Sequence, residues 1–328
     1  AAINSLPAII NHDVTIYIKK GSSAYDEIVT FKNVVGSGSI TIRGEFYWNN
    51  TVASAGSGAG KFNLNATDTG IAAGDKILLM KYTGTVGSSR PDDAFIDTVE
   101  SVNGTEVTLT TRTSDTFTTS WRYVIVRTEI KGLTIKSNNT TVLGMYLNGG
   151  PTTPATIDGA FNPKLQSCIC ESTTNTTISI KNSQIQTNYA INYVGVVCGA
   201  SPAGALMFSS TNAGYAVSLY NLAILSGAIT YGSGRGHIYG FNSMIPLNST
   251  FIKGIAGGTA DGVLINGGGI GLSSCTIDGY NSSNKLPNGI RAINGGTCTV
   301  SAVTFGSNIT TQKNPANWAA STDGSYIS

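Results

Sequence analysis

The chain has 328 residues and a formal charge of +2, and only 12% of its residues are charged, against roughly 25% in an ordinary soluble domain. So small a charge gives no electrostatic reason to bind nucleic acid or an anionic membrane, and no stretch approaches the ~18 apolar residues of a spanning helix. With 40 glycines and 41% hydrophobic residues the chain can fill a long core, which excludes a disordered tail.

The chain opens Ala1-Ala2-Ile3, without an initiator methionine or the basic-then-apolar pattern of a secretory leader, and is expected to be a processed or partial product. Ile3, Leu6 and Ile10 recur at helical spacing, so a short N-terminal capping helix is predicted, kinked at Pro7. From Asp13 the period changes to two. Val14, Ile16 and Ile18 alternate, then Ile28-Val29 and Phe31, then Ile40 and Ile42, with glycines at 21, 36 and 38 as corners.

That rhythm stops at Glu45 and resumes at Ile130-Lys131-Gly132-Leu133-Thr134-Ile135. The chain is therefore expected to divide into 1–45 (cap and first coils), 46–128 (an inserted small β domain) and 129–328 (the main coil region). Inside the insertion, strands are expected at 77–80, 95–99, 107–109 after the Asn103-Gly104 hairpin signal, and 123–126. About five short antiparallel strands suit a small barrel or sandwich. The glycine-rich run at 53–60 lacks the ending of a phosphate loop, because Phe62 follows Lys61. Asp92, Asp93, Asp97 and Glu100 lack the alternating oxygen ligands of a calcium loop and are expected in a solvated loop.

Beyond 130 a repeat dominates. Asn266-Gly267-Gly268 returns 28 residues later as Asn294-Gly295-Gly296, which lays Leu272 over Val300, Cys275 over Val303 and Ile277 over Phe305 as inward rows. A third copy starts at Asp323-Gly324. A unit of this length, rich in β-branched residues, glycine and asparagine, predicts one coil of a parallel β-helix, a solenoid in which each backbone pairs with the coils beside it. About nine coils would make a rod on the order of 40 Å long. Both ends fall mid-pattern, so something is expected to follow Ser328 or pack against it. The five cysteines form no metal spacing with His12 and His237. They read as small buried hydrophobes, and neither metal nor cofactor is expected.

The run Ala-Ala-Ile-Asn-Ser-Leu-Pro at 1–7, Asp-Val-Thr-Ile-Tyr-Ile at 13–18, the acidic pair Asp26-Glu27 and Gly-Ser-Gly-Ser-Ile-Thr-Ile at 36–42 resembles the start of the β-helical, pectin-lyase-like region of bacteriophage tail fibre and tailspike proteins. Gly289-Ile290-Arg291-Ala292 leading into Gly295-Gly296 is similar to their closing repeats. The resemblance implies an all-β chain with a right-handed parallel β-helix, a homotrimer, and a place on the virion tail among other tail proteins. It also implies extracellular action on a bacterial surface polysaccharide. A thin rod that leaves apolar strand faces exposed argues for the trimer as well. Some members of the group are depolymerases and others only bind.

Glycan hydrolysis needs two carboxylates, about 5 Å apart for retention or 6.5–9.5 Å for inversion. Acids are scarce after the insertion. Asp261, Asp278 and Glu171 are the catalytic candidates for a depolymerase, but 17 residues between Asp261 and Asp278 is not one coil, and the plain reading is turn residues. A glycan-binding patch is expected from Tyr231, Arg235, His237 and Tyr239, where aromatic faces stack on sugar rings and a guanidinium donates paired hydrogen bonds. The expected function is a virion tail protein for host attachment by receptor binding, without catalysis. The alternatives are a tailspike polysaccharide depolymerase, either glycoside hydrolase or lyase, and a prokaryotic cell-surface adhesin on the same solenoid.

Overall fold

The computed structural model describes all of the chain except residues 1–5, 33, 66–69, 82–92, 161–162, 167, 173–177, 182–192, 195–196, 201–205, 210–218, 221–222, 226–237, 249–250, 254–260, 274, 280 and 316–322; between 172 and 251 it describes strand backbones alone. The described residues hold 31 strands and no helix, so the chain is all-β. Among the described residues no helix is long and apolar enough to cross a membrane.

Twenty-four strands belong to one parallel network, and seven form a separate antiparallel sheet. Strand β1 (Val14–Tyr17) pairs in parallel with β3 (Ile40–Arg43), while β2 (Tyr25–Phe31), which lies between them in sequence, pairs with β11 (Glu129–Ile135). Then β12 (Thr140–Leu143) stacks on β3, and β13 (Tyr146–Asn148) stacks on the start of β11. Among the described residues the same three columns continue to Phe305, Asn314 and Ile327. The column beginning at β1 carries ten rungs among the described residues, ending at Tyr326–Ile327. At about 4.8 Å per rung the stack is roughly 40 Å long. Leu272 pairs with Val300 and Ile277 with Phe305, the register that the 28-residue repeat predicts.

Corners are short because glycine and asparagine tolerate left-handed backbone. Leu143 and Tyr146 are separated only by Gly144, at φ 65°, and by buried Met145. Asn294, at φ 52°, donates from Nδ2 to Asn266 Oδ1 at 2.8 Å, so the repeated asparagine forms a polar ladder from coil to coil. Cys168 and Cys275 fill buried corner positions equivalent to Met145, and all four cysteines with described side chains are buried. Burial pushes the Cys298 thiol up to about 12, as expected of an inert packing residue.

Between β3 and β11 lies the antiparallel sheet, whose order is β4-β10-β7-β8-β9-β6-β5. Its strands are β4 (Phe46–Thr51), β5 (Ser54–Ala55), β6 (Lys61–Asn63), β7 (Lys76–Lys81), β8 (Asp93–Asn103), β9 (Glu106–Leu109) and β10 (Trp121–Val126). Phe62, Phe95, Phe117, Trp121 and Tyr123 form a core separate from that of the coils. A third apolar cluster joins the two, with Leu78, Met80, Val124 and Val126 of the sheet against Tyr146 and Ile169 of the coils.

Three expectations need correction. Leu6 to Ile10 is not helical: Ile9 bridges Val35 in parallel, and the Ile10 N–H donates to the Val35 carbonyl at 2.8 Å. Pairing to a neighbouring strand satisfies this backbone where Pro7 would interrupt a helix; Ile3 lies outside the described residues. Asp97 is not in a solvated loop. It is buried in β8 and accepts from Thr111 N at 3.1 Å, Thr111 Oγ1 at 2.9 Å and Arg112 N at 3.0 Å. Phe305 is only half-buried, since its strand pairs on one side alone among the described residues, whereas Ile277 is fully buried between Ile252 and Phe305. Denaturant titration should therefore show Ile277→Ala losing about 2–5 kcal/mol and Phe305→Ala less, reversing the usual size order of cavity mutations.

Candidate functional site

The antiparallel sheet leaves and rejoins the coils at a corner that elsewhere needs two residues. The Gly44 N–H donates to the Leu143 carbonyl at 2.9 Å on the way out, and the Tyr146 N–H donates to the Thr128 carbonyl at 2.8 Å on the way back. The two crossing segments meet, with the Arg127 N–H donating to the Glu45 carbonyl at 2.9 Å and the Glu45 N–H to Thr128 Oγ1 at 2.9 Å. Gly144 lies beneath this crossing. A Cβ there would stand 1.9 Å from the Phe46 ring, so only glycine allows the first strand of the sheet to lie against the corner.

A charged network locks the crossing. The carboxylate of Asp75 is fully buried, pairs with Lys20 Nζ and with Arg127 Nε at 3.2 Å, and accepts from Ala72 N at 2.9 Å. Arg127 also reaches Glu45 Oε2 at 3.3 Å. Above it opens a pocket of about 250 Å³ lined by Tyr17, Arg43, Glu45, Phe46, Tyr47 and Arg127. Tyr17 and Arg43 face outward as cross-strand partners, and the Arg43 guanidinium lies 5.8 Å from the centre of the Phe46 ring. The wall is mostly polar, with aromatic rings beside fixed polar groups at the meeting of two packing units, which suits a small polar ligand more than an apolar one.

A second groove, of about 320 Å³, runs between Tyr25, Asp26, Glu129, Lys131 and Asn148 and the loop at 149–151. Lys131 pairs with Asp26 at 2.8 Å, and Asn148 Nδ2 donates to Glu129 Oε1 at 2.8 Å. Next to it, Tyr146 donates its hydroxyl to Glu171, and Lys76 of the antiparallel sheet lies 3.3 Å from the same carboxylate. Burial, then the nearby Glu171 charge, raises the Tyr146 phenol above its ordinary value, which leaves it a hydrogen-bond donor.

The residues singled out in the sequence are dispersed. Glu171 and Asp278 share one column, through Gly199, Leu225 and Lys253, and so lie four rungs or roughly 19 Å apart. That exceeds either catalytic spacing. Asp278 accepts from Gly279 N at 2.9 Å and Asn308 N at 3.0 Å, a turn role. Asp261 is buried, accepts from Asn288 Nδ2 at 2.6 Å and lies 3.7 Å from Arg291. Tyr231, Arg235 and His237 lie outside the described residues, and Tyr239 is placed only by its backbone, between Met207 and Leu264. Among the described residues no group of three His, Cys, Asp or Glu side chains could hold a metal ion.

Neither a protein-family model nor a curated protein matches the chain. Eleven chains of solved structure are similar to it. They include phage tailspikes. The gp61 tailspike of Pseudomonas phage phi297 is 14% identical with a TM-score of 0.31, over 90% of this chain and 52% of its own. The gp49 tailspike of Pseudomonas phage LKA1 is 15% identical with a TM-score of 0.29, over 90% and 53%. The gp54 tailspike of Acinetobacter baumannii phage AP22, solved with A. baumannii capsular saccharide, is 12% identical with a TM-score of 0.27, over 95% and 63%. This chain thus spans between about half and two thirds of their lengths, and likeness at this level assigns it no family.

Burial raises the Asp261 carboxyl above its ordinary value against the opposing pull of Asn288 and Arg291. A carboxyl raised on folding stabilises only below its unfolded value, near pH 3.8, and loses that contribution as pH rises through the folded value. Asp261→Asn should therefore be at least as stable as the parent at neutral pH, with its advantage vanishing below about pH 4 in melting curves. An ion-pair-dominated Asp261, with its carboxyl held below the ordinary value, would give the opposite sign. The junction pocket was missed in the sequence because Tyr17 and Arg43 sit in or beside alternating strand runs and Arg127 falls between predicted strands; the sole local signal was the interrupted rhythm at Glu45.

Proposed function

We propose that this chain is the rod of a phage virion tail protein that attaches the particle to a bacterial surface polysaccharide and acts outside the cell. The rod would be a right-handed parallel β-helix, with residues 46–128 as an inserted domain. The sequence resemblance of the first coils and closing repeats supports the family reading, and one observation carries the site: aromatic rings and a guanidinium line an open pocket where the inserted sheet meets the coils. Binding without cleavage agrees with the tied-up state of Asp261, Asp278 and Glu171.

We further propose a homotrimer that docks on other tail proteins. Ile9, Ile28 and Val35 are half or more exposed on the first coils, and their burial between subunits would stabilise a three-fold assembly. Light scattering should return three times the chain mass, and a stable monomer would refute this part. The attachment reading is tested by incubating the chain with capsule or lipopolysaccharide from candidate hosts, measuring retention, and sizing the polysaccharide afterwards. Retention with unchanged length is expected. Shortened polysaccharide would replace it with the depolymerase reading, and no retention from any preparation would reject it.

A further inference from the structure

We propose that the junction pocket takes a sugar unit bearing a carboxylate, held by Arg43; this rests on the attachment reading and names the chemistry it recognises. The floor of the pocket is electrically balanced. Lys20 and Arg127 supply two positive charges, and Asp75 and Glu45 supply two negative ones, all within one network. Arg43 is the remaining charge of the lining, and among the described residues no carboxylate lies within ion-pair distance of it. Among the described residues the pocket therefore carries one uncompensated cation.

Its position suits a sugar acid. Arg43 closes β3, directly beside Tyr17 of β1, a residue that is 52% exposed. The Phe46 ring beneath the guanidinium limits its rotamers, so little freedom is lost when it donates two parallel N–H bonds to a carboxylate. The exposed Tyr17 face can stack on the ring of the same sugar. A volume of about 250 Å³ is at the small end for ligand pockets and suits one or two sugar rings more than a long segment. The neighbouring groove has the opposite character: Lys131 is already paired with Asp26, and Glu129 adds negative charge, so a carboxylate is repelled there.

The test is an NMR titration of the full chain with methyl β-glucuronide and methyl β-glucoside, which share a ring and differ in carboxylate against hydroxymethyl. The glucuronide should bind about tenfold more tightly at low salt, as one solvent-accessible charge-assisted contact allows, and the preference should shrink at high salt. Arg43→Gln should abolish the preference with an unchanged melting temperature, while Arg43→Lys should keep part of it. Equal affinities in the parent chain, or a preference that survives Arg43→Gln, would overturn the carboxylate assignment and leave attachment standing. Failure of both glycosides while intact polysaccharide is retained would show that the pocket is not the contact and would equally overturn it. Failure of glycosides and polysaccharides together would remove the attachment reading itself.

Discussion

Asp75→Ala should cost about 3–5 kcal/mol in the transition that unseats the antiparallel sheet from the coils, the usual consequence of removing one partner from a buried ionic network. The side chain is fully buried, and three donors converge on it: Lys20 after β1, Arg127 from the return segment between β10 and β11, and the Ala72 N–H just before β7. Without it the two cations face each other across the crossing, with Glu45 as the remaining anion. Lys20 is partly exposed and can turn back toward water, which sets the lower end of the range. Asp75→Asn keeps the shape and strips the charge, so it should lose less, about 1–3 kcal/mol. Calorimetry is the right measurement, because two packing units need not melt together. A loss below about 1 kcal/mol for the alanine variant would show that the apolar cluster alone seats the sheet.

Removal of residues 45–127, with Gly44 joined directly to Thr128, should leave the coils folded. The product reads Arg43-Gly44-Thr128-Glu129, which places two residues between strands as Leu143-Gly144-Met145-Tyr146 does one coil later. Thr128 is buried in the position that Met145 fills there, and both junction residues already hydrogen bond to that next corner. The cost is exposure of Tyr146 and Ile169, which lose their cover, roughly 1.5–3 kcal/mol each. Circular dichroism should keep its β signature with a cooperative melt at lower temperature, and the junction pocket should no longer bind. An unfolded or aggregated product would mean that the antiparallel sheet completes the core of the first coils. The excised sheet should fold on its own, since its aromatic core is self-contained.

How much was legible in the sequence follows from what each contact depends on. The register of Leu272 with Val300 and of Ile277 with Phe305 could be read directly, because a coil that buries one face and pairs with its copy must repeat its apolar positions at the coil length. The asparagine and glycine corners were legible for the same local reason: left-handed backbone admits few other residues. Strands β4 to β6 were not, since Phe46-Tyr47-Trp48-Asn49-Asn50-Thr51 and the glycine-rich stretch after it show no period-two alternation. At Leu6 and Ile10 helical spacing misled, because the pairing of Ile9 with Val35 outweighed local preference.

Only the tertiary structure brought the site together. Lys20 and Asp75 are 55 residues apart, Asp75 and Arg127 are 52 apart, and no periodicity links them; they meet because a corner that could close in two residues instead sends out a folded sheet and takes it back at the same place. The sequence by itself determined the stacked parallel strands, since their pairing repeats a local pattern. It could not determine the pocket, whose walls come from β1, β3, β4 and the return segment, because that geometry depends on where two distant chain segments land rather than on what either contains.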